Sequence, residues 1–207
     1  IRKFWHYVWY GDSLASWVLS IILAFIIVKL IIYPGLGLIF DTKYPVVAVI
    51  SGSMEHKMTE NSKGYGICGK NFDEKQDVDF NMFWEICGSW YQGIGVSKKY
   101  FNDFRFKNGF NKGDVMVVFG TEPKDIKIGD VILFRSYRPE PIIHRVVSIK
   151  MDGNELAFRT KGDHNSDSGP DEMSIDGSRI VGKAVLRIPL LGYVKLMFVK
   201  IIGGVGG

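Results

Sequence analysis

Leu14 to Tyr33, LASWVLSIILAFIIVKLIIY, is a nearly unbroken apolar run interrupted by a single charge, Lys29. At about 1.5 Å rise per residue, a helix of that length spans roughly 30 Å, the hydrocarbon core of a bilayer. The run is predicted to be a transmembrane helix. A buried core helix or a cleavable signal sequence fits less well: the segment is too long for a signal h-region, and no small-residue cleavage pattern follows at once. Lys29 can snorkel to the interface, and Pro34, Gly35 and Gly37 are predicted to end the helix. Trp5, Tyr7, Trp9, Tyr10 and Trp17 supply an aromatic belt on the entry side. Arg2 and Lys3 ahead of the span point the N-terminus toward the cytoplasm, which places everything after residue 34 on the outer face. The lack of an initiator Met implies that the native chain begins earlier. Residues 1–37 are thus read as a cytoplasmic stub and anchor.

The remainder is apolar enough to fold: 46% of the 207 residues are hydrophobic and 23% charged, which excludes a disordered chain. The net charge of +4 is scattered, with no basic stripe carrying interleaved aromatics, so nucleic acid is not an expected partner. Residues 38–187 read as a mostly β domain. Its runs are YPVVAVI, DVMVVFG, DVILFRS, PIIHRVVSI, ELAFRT and RIVGKAVLRI, separated by Gly, Asp, Pro and Asn. KGDVMVVFG echoes IGDVILFRS, and this suggests a hairpin-like pairing of the two strands. Residues 59–112 show no sustained period and read as an insertion with little core of its own, either a surface excursion or a substrate gate. Cys68 and Cys87, which lie in it, are either one disulfide or two thiols; the disulfide leads if this part lies outside the cell. Such a bridge would add about 3 kcal/mol by chain entropy. Residues 188–207 open with IPLLGYVKLMFVKII, too short for an ordinary span. A membrane-surface helix is the first choice, ahead of a second membrane segment or a core helix.

Candidate chemistry begins at ISGSMEH. If VVAVISGS runs on as a strand, period two puts Ser51 and Ser53 on one face, where one can attack a carbonyl while its own N–H and the other hydroxyl donate to the oxyanion. Alone, the motif is equally a polar turn. A serine needs a base, and four histidines are available: His6, His56, His144 and His164. His144, in PIIHRVV, shares a face with Ile142 and Val146, so its ring needs a partner; a core histidine bonded to a carbonyl is the bland alternative. His164, flanked by acids and glycines, looks solvated, and His6 lies on the far side of the span. The acidic loop TKGDHNSDSGPDE offers Asp163, Asp167 and Asp171 as orienting acids. His144, Asp163 and His164 have no metal-ligand spacing, so neither a metal nor any other cofactor is expected.

In order and content these blocks resemble the type I signal peptidases, within them the archaeal and endoplasmic-reticulum branch: a span, then SGSME, GDVILF, IIHRVV, TKGDHN and IPLLGY. The resemblance implies a signal-peptidase-like β catalytic domain with an N-terminal transmembrane helix and a C-terminal apolar helix. It implies a membrane-bound serine endopeptidase that removes signal peptides from secreted preproteins, with its catalytic domain on the extracytoplasmic side of the cell membrane. Its partners would be signal peptides, the lipid bilayer and the secretion translocon. By resemblance Ser53 is the nucleophile, Ser51 completes the oxyanion hole and His144 is the general base, where the bacterial branch uses lysine. The supporting acid is Asp171 or Asp163. His56 stands where the family commonly has proline, and is a minor rival base. A substrate strand would lie against Val46, Ala48, Val49, Ile50, Ile132, Phe134 and Ile142. The alternatives are a membrane-tethered binding or assembly module with a dead site, and a related self-processing serine peptidase.

Overall fold

The computed structural model describes residues 2–137 and 139–191. Residues 192–207, and with them most of the expected C-terminal apolar helix, lie outside the described residues. The chain divides after Pro45 into two units.

The first unit holds α1 (Arg2–Tyr10), α2 (Leu14–Ile27) and α3 (Tyr33–Ile39). Ser13 caps α2 by accepting from the Ser16 N–H. Between α2 and α3 a single π turn, Val28–Ile32, keeps the helix continuous over the 26 residues Leu14–Ile39. The break expected at Pro34 does not occur. A proline nitrogen has no hydrogen to donate and its ring presses on the carbonyl four residues back. The widened turn just before it, where Tyr33 N–H bonds to Val28 O five residues back, accommodates that ring, and the helix runs on to Ile39. Its side chains are largely uncovered, Ile21, Phe25, Leu30 and Leu38 among them, and it is long and apolar enough to cross a membrane.

The second unit is mostly β. In chain order its strands are β1 (Val46–Ala48), β2 (Thr59–Asn61), β3 (Gly64–Ile67), β4 (Lys70–Phe72), β5 (Val115–Phe119), β6 (Val131–Phe134), β7 (Ile142–Asp152), β8 (Glu155–Lys161), β9 (Ile175–Asp176) and β10 (Ile180–Ile188). Seven of them form an antiparallel sheet in the order β1-β5-β10-β6-β7-β8-β9. The echoing segments therefore do not pair with each other. β10 inserts between β5 and β6, and at Gly182, where a side chain would collide with Phe119 O, the backbones come too close for a Cβ. What the echo encodes is a turn: Gly113 and Gly129 both have positive φ, and Asp114 and Asp130 each accept the N–H three residues back.

Residues 59–112 are not a coreless excursion. β2, β3 and β4 form a small sheet, α4 (Phe80–Gly93) starts at the cap Asp79, and α5 (Lys98–Asn102) follows. Phe83, Trp84, Cys87 and Tyr91 recur at helical spacing on the buried side of α4. With Met58, Ile67, Phe101 and Val147 they form an aromatic core that reaches onto β7. Cys68, just after β3, and Cys87 on α4 are joined in a disulfide, their Cα atoms 5.6 Å apart.

Candidate active site

The strand carrying the serines ends earlier than period two assumed. Val49 is the last residue held to the sheet's neighbouring turn, donating to Asp114 O at 2.8 Å and accepting from Gly113 N–H at 2.9 Å. The chain then turns through Ser51–Met54, with Glu55 N–H bonded to Gly52 O. Ser51 and Ser53 sit on this turn and not on a strand face, yet their hydroxyls still lie 3.1 Å apart. Met54, only 1% exposed, anchors the turn in the core with Phe110 and Met116.

β7 presents His144, opposite Ile132 on β6, with its ring buried. Its Nε2 is 2.7 Å from Ser53 Oγ, and its Nδ1 is hydrogen-bonded to Glu172. A carboxylate on Nδ1 holds the proton there, leaving Nε2 as the acceptor for a serine hydroxyl. Glu172 ends a short helical turn, Pro170–Glu172, after β8. It also accepts from Thr160 Oγ1 at 3.0 Å and from Gly169 N–H at 2.8 Å. Burial pushes its pKa up, but the hydrogen bond and charge of His144, with those two donors, hold it below the ordinary glutamate value. At Gly162 a Cβ would stand 2.7 Å from Ser53 O and 2.9 Å from His144 Nε2, so the loop can pass the site only without a side chain there.

Neither expected acid is on the imidazole. Asp171 precedes Glu172 in the turn, and its backbone carbonyl accepts from Arg179. Asp163 is fully buried and accepts from Arg145 Nε at 2.9 Å and Nη2 at 2.7 Å, from the Tyr91 hydroxyl at 2.9 Å and from His56 Nε2 at 2.9 Å. Although burial opposes it, the Arg145 charge and these hydrogen bonds hold the Asp163 carboxyl far below the usual range. Its capacity is thus taken by another cluster. Arg145 in turn donates to the carbonyls of Arg105, Phe106 and Gly129.

His56 belongs to that cluster and not to the serine. Its ring stacks on Phe83 with centroids 3.5 Å apart, Nδ1 is buried without a hydrogen-bond partner among the described residues, and burial lowers its pKa. An imidazole with Nε2–H donating to Asp163 and Nδ1 bare is neutral. His164 is not solvated either: half-buried, it bonds through Nδ1 to Glu55 O and through Nε2 to Thr59 Oγ1.

Of the expected substrate-contacting residues, Val46 and Ile50 are exposed and Ala48 half-buried, along an edge strand whose outer side pairs with no other strand among the described residues. Val49, Ile132 and Phe134 are core. They are 3%, 0% and 0% exposed and packed in core clusters, so their side chains present no surface on which a substrate could lie. Ile142 is half-buried against the Phe134 cluster. The Ser53 N–H has no hydrogen-bond partner among the described residues, and with Ser51 Oγ it forms a pair of donors beside Ser53 Oγ. No group of three or more His, Cys, Asp or Glu able to hold a metal occurs among the described residues.

Glu172 is the acid on the imidazole that sequence reasoning missed. Its signal was local: Gly169-Pro170 opens a short helical turn in which the Glu172 carboxylate reaches back to the Gly169 N–H, one half of a capping box, glycine having no side chain to supply the other.

No protein-family model matches the chain. Curated relatives do in part, among them the following three. A signal peptidase complex catalytic subunit, SEC11, of Yarrowia lipolytica is 28% identical over 101 residues, covering 44% of this chain and 56% of the relative. Signal peptidase I W of Bacillus subtilis is 41% identical over 64 residues, 30% of this chain and 34% of the relative. The human SEC11C subunit is 28% identical over 95 residues, 42% of this chain and 50% of the relative. The matched segment thus spans about half the length of the SEC11 relatives and about a third of the Bacillus protein.

Proposed function

Within the type I signal peptidase family, to which this chain belongs, we propose that it is a membrane-bound serine endopeptidase cleaving signal peptides from secreted preproteins. The observation that carries this reading is the Ser53 Oγ to His144 Nε2 distance of 2.7 Å, with the far imidazole nitrogen on buried Glu172. Serine is a poor nucleophile at neutral pH, and an oriented neutral imidazole supplies the base it needs.

The preprotein's cleavage region adds as a strand along the open edge of β1, past Val46, Ala48 and Ile50. His144 takes the Ser53 proton as Oγ attacks the scissile carbonyl. Ser53 N–H and Ser51 Oγ–H donate to the oxyanion, as preorganised donors should. The imidazolium then protonates the leaving amine, an ester to Ser53 remains, and water deprotonated by His144 hydrolyses it. Glu172 holds the imidazole tautomer and stabilises its charged form. The helix Leu14–Ile39 holds this chemistry at the outer face of the cell membrane, where preproteins emerge from the translocon.

The test is cleavage of a preprotein in detergent micelles. Ser53→Ala and His144→Ala are each expected to cut at least roughly 10³-fold more slowly than wild type. Equal cleavage by all three would overturn the Ser53–His144 mechanism, and no cleavage by wild type would leave a binding module as the reading.

A further inference from the structure

The loop beside the nucleophile is held from the far side by the disulfide. Cys68 N–H donates to His164 O at 2.8 Å, and the Cys68 sulfur, its hydrogen lost to the bridge, lies 3.2 Å from Asp163 O. Cys68 is one of few non-glycine residues with positive φ, at 54°, and a Cβ on its neighbour Gly69 would strike Ser166. The 68–69 turn therefore packs against the 163–166 loop. That loop in turn holds the nucleophile. His164 N–H donates to Ser53 O at 2.9 Å, and its ring bonds Glu55 O at 3.2 Å, so one residue grips the serine turn on both sides of Met54. The other end of the bridge, Cys87, is fixed in α4 among Phe83, Trp84 and Tyr91.

We propose that the Cys68–Cys87 bridge and His164 are positioning residues for Ser53: a brace running from α4 through the bridge to the 163–166 loop and the serine turn. None of them touches substrate. Reactive groups must sit within a fraction of an ångström of their productive places, so a brace that slackens costs rate with little change in binding. As a claim about cleavage it rests on the peptidase reading above; as a claim about the loop it does not.

Two measurements separate these. Reduction with a water-soluble phosphine converts the bridge to two thiols, the phosphine leaving as its oxide with oxygen and two protons from water. Hydrogen exchange of the full chain in micelles should then show the His164 amide losing protection while amides of β5 and β10 keep theirs. Unchanged protection at His164, or an equal loss across the sheet, would overturn the brace. In the preprotein assay, reduction should lower kcat roughly tenfold with KM within about twofold, and reoxidation should restore it. An unchanged kcat overturns the positioning role. If reduction melts the domain, the bridged His164→Ala chain decides: reduced kcat with KM retained supports the brace, and wild-type kcat refutes it. In the Cys68→Ala/Cys87→Ala and His164→Ala cycle, parts of one brace should be non-additive, and simple additivity would count against it. A bridged wild type no faster than Ser53→Ala refutes the peptidase reading and leaves the exchange result to judge the brace.

Discussion

Two histidine–carboxylate pairs stand in the same domain, His144 with Glu172 and His56 with Asp163, and both carboxylates are buried. Their chemistry differs because of what surrounds each pair. On His144 the second nitrogen faces the Ser53 hydroxyl. On His56 the second nitrogen is buried with no hydrogen-bond partner among the described residues, and the ring lies flat on Phe83. The carboxylates differ too: Asp163 is matched by the Arg145 guanidinium, whereas among the described residues Glu172 makes no salt bridge to a lysine or arginine and is hydrogen-bonded to the imidazole instead. A buried imidazole–carboxylate pair is therefore no signature of catalysis by itself. On the proposed reading, the serine hydroxyl at the second nitrogen and a carboxylate not paired to an arginine are what would make one pair a base and the other a structural tie.

The sharpest way to break this comparison is to exchange acid for amide at each site. Glu172→Gln keeps the shape but cannot hold the imidazole proton or offset the imidazolium, so kcat should fall on the order of 10³-fold. The cost in stability should be roughly 1–3 kcal/mol, since Thr160 and Gly169 donate to different oxygens and a glutamine leaves an acceptor at only one of the two positions. Asp171→Asn should cut at close to the wild-type rate. Comparable losses from the two variants would return the acid's role to the whole turn.

Asp163→Asn should act the other way, on stability first. Removing one charge leaves Arg145 buried and unpaired, which costs roughly 3–5 kcal/mol. For a chain of this size that lowers Tm by about 10 °C or more. Thermal unfolding in micelles reads this directly, and a variant as stable as wild type but catalytically dead would make Asp163 part of the reacting machinery.

How much of this was readable in the sequence depends on the range of the signal. Ser53 and His144 were legible because each stands in a distinctive setting, a Ser-Gly-Ser turn and a polar ring on an apolar strand. Glu172 was hidden in a loop dense with aspartates, where choosing among neighbours depends on which way a three-residue turn points its side chains. The tie between Arg145 and Asp163 is a tertiary match that no local pattern reveals. The mostly β fold followed from the short apolar runs, but the pairing order did not: β10 comes last in sequence and lies between β5 and β6. Residues 59–112 lacked a visible period only because α4 is short and mixes Asn81, Glu85 and Ser89 among its aromatics; Phe83, Cys87 and Tyr91 carry the helical spacing.

The smallest expected effect lies in the pH dependence of stability, and it distinguishes the clusters again. Burial holds both His56 and His164 below the ordinary histidine value; Arg145 and Lys161 lower His56 further, while Asp163 opposes. As pH falls through about 6.5, the unfolded chain takes up these protons before the folded one, so it binds more protons and stability falls with pH. The depressed Asp163 and Glu172 pKa values add a second loss of the same sign below about pH 4, the ordinary carboxylate range. At the alkaline end, Lys161 is buried against Trp90 and Tyr91 with its pKa lowered to about 8. Between there and its unfolded value the unfolded chain again holds the extra proton, and stability should rise with pH. His56→Gln removes one of the two imidazoles, so its Tm should fall less steeply than wild type between pH 6.5 and 5 while the step below pH 4 persists. An unchanged slope would mean that His56 is protonated in the folded state, and its tie to Asp163 would then be an ion pair of the same kind as that of Arg145.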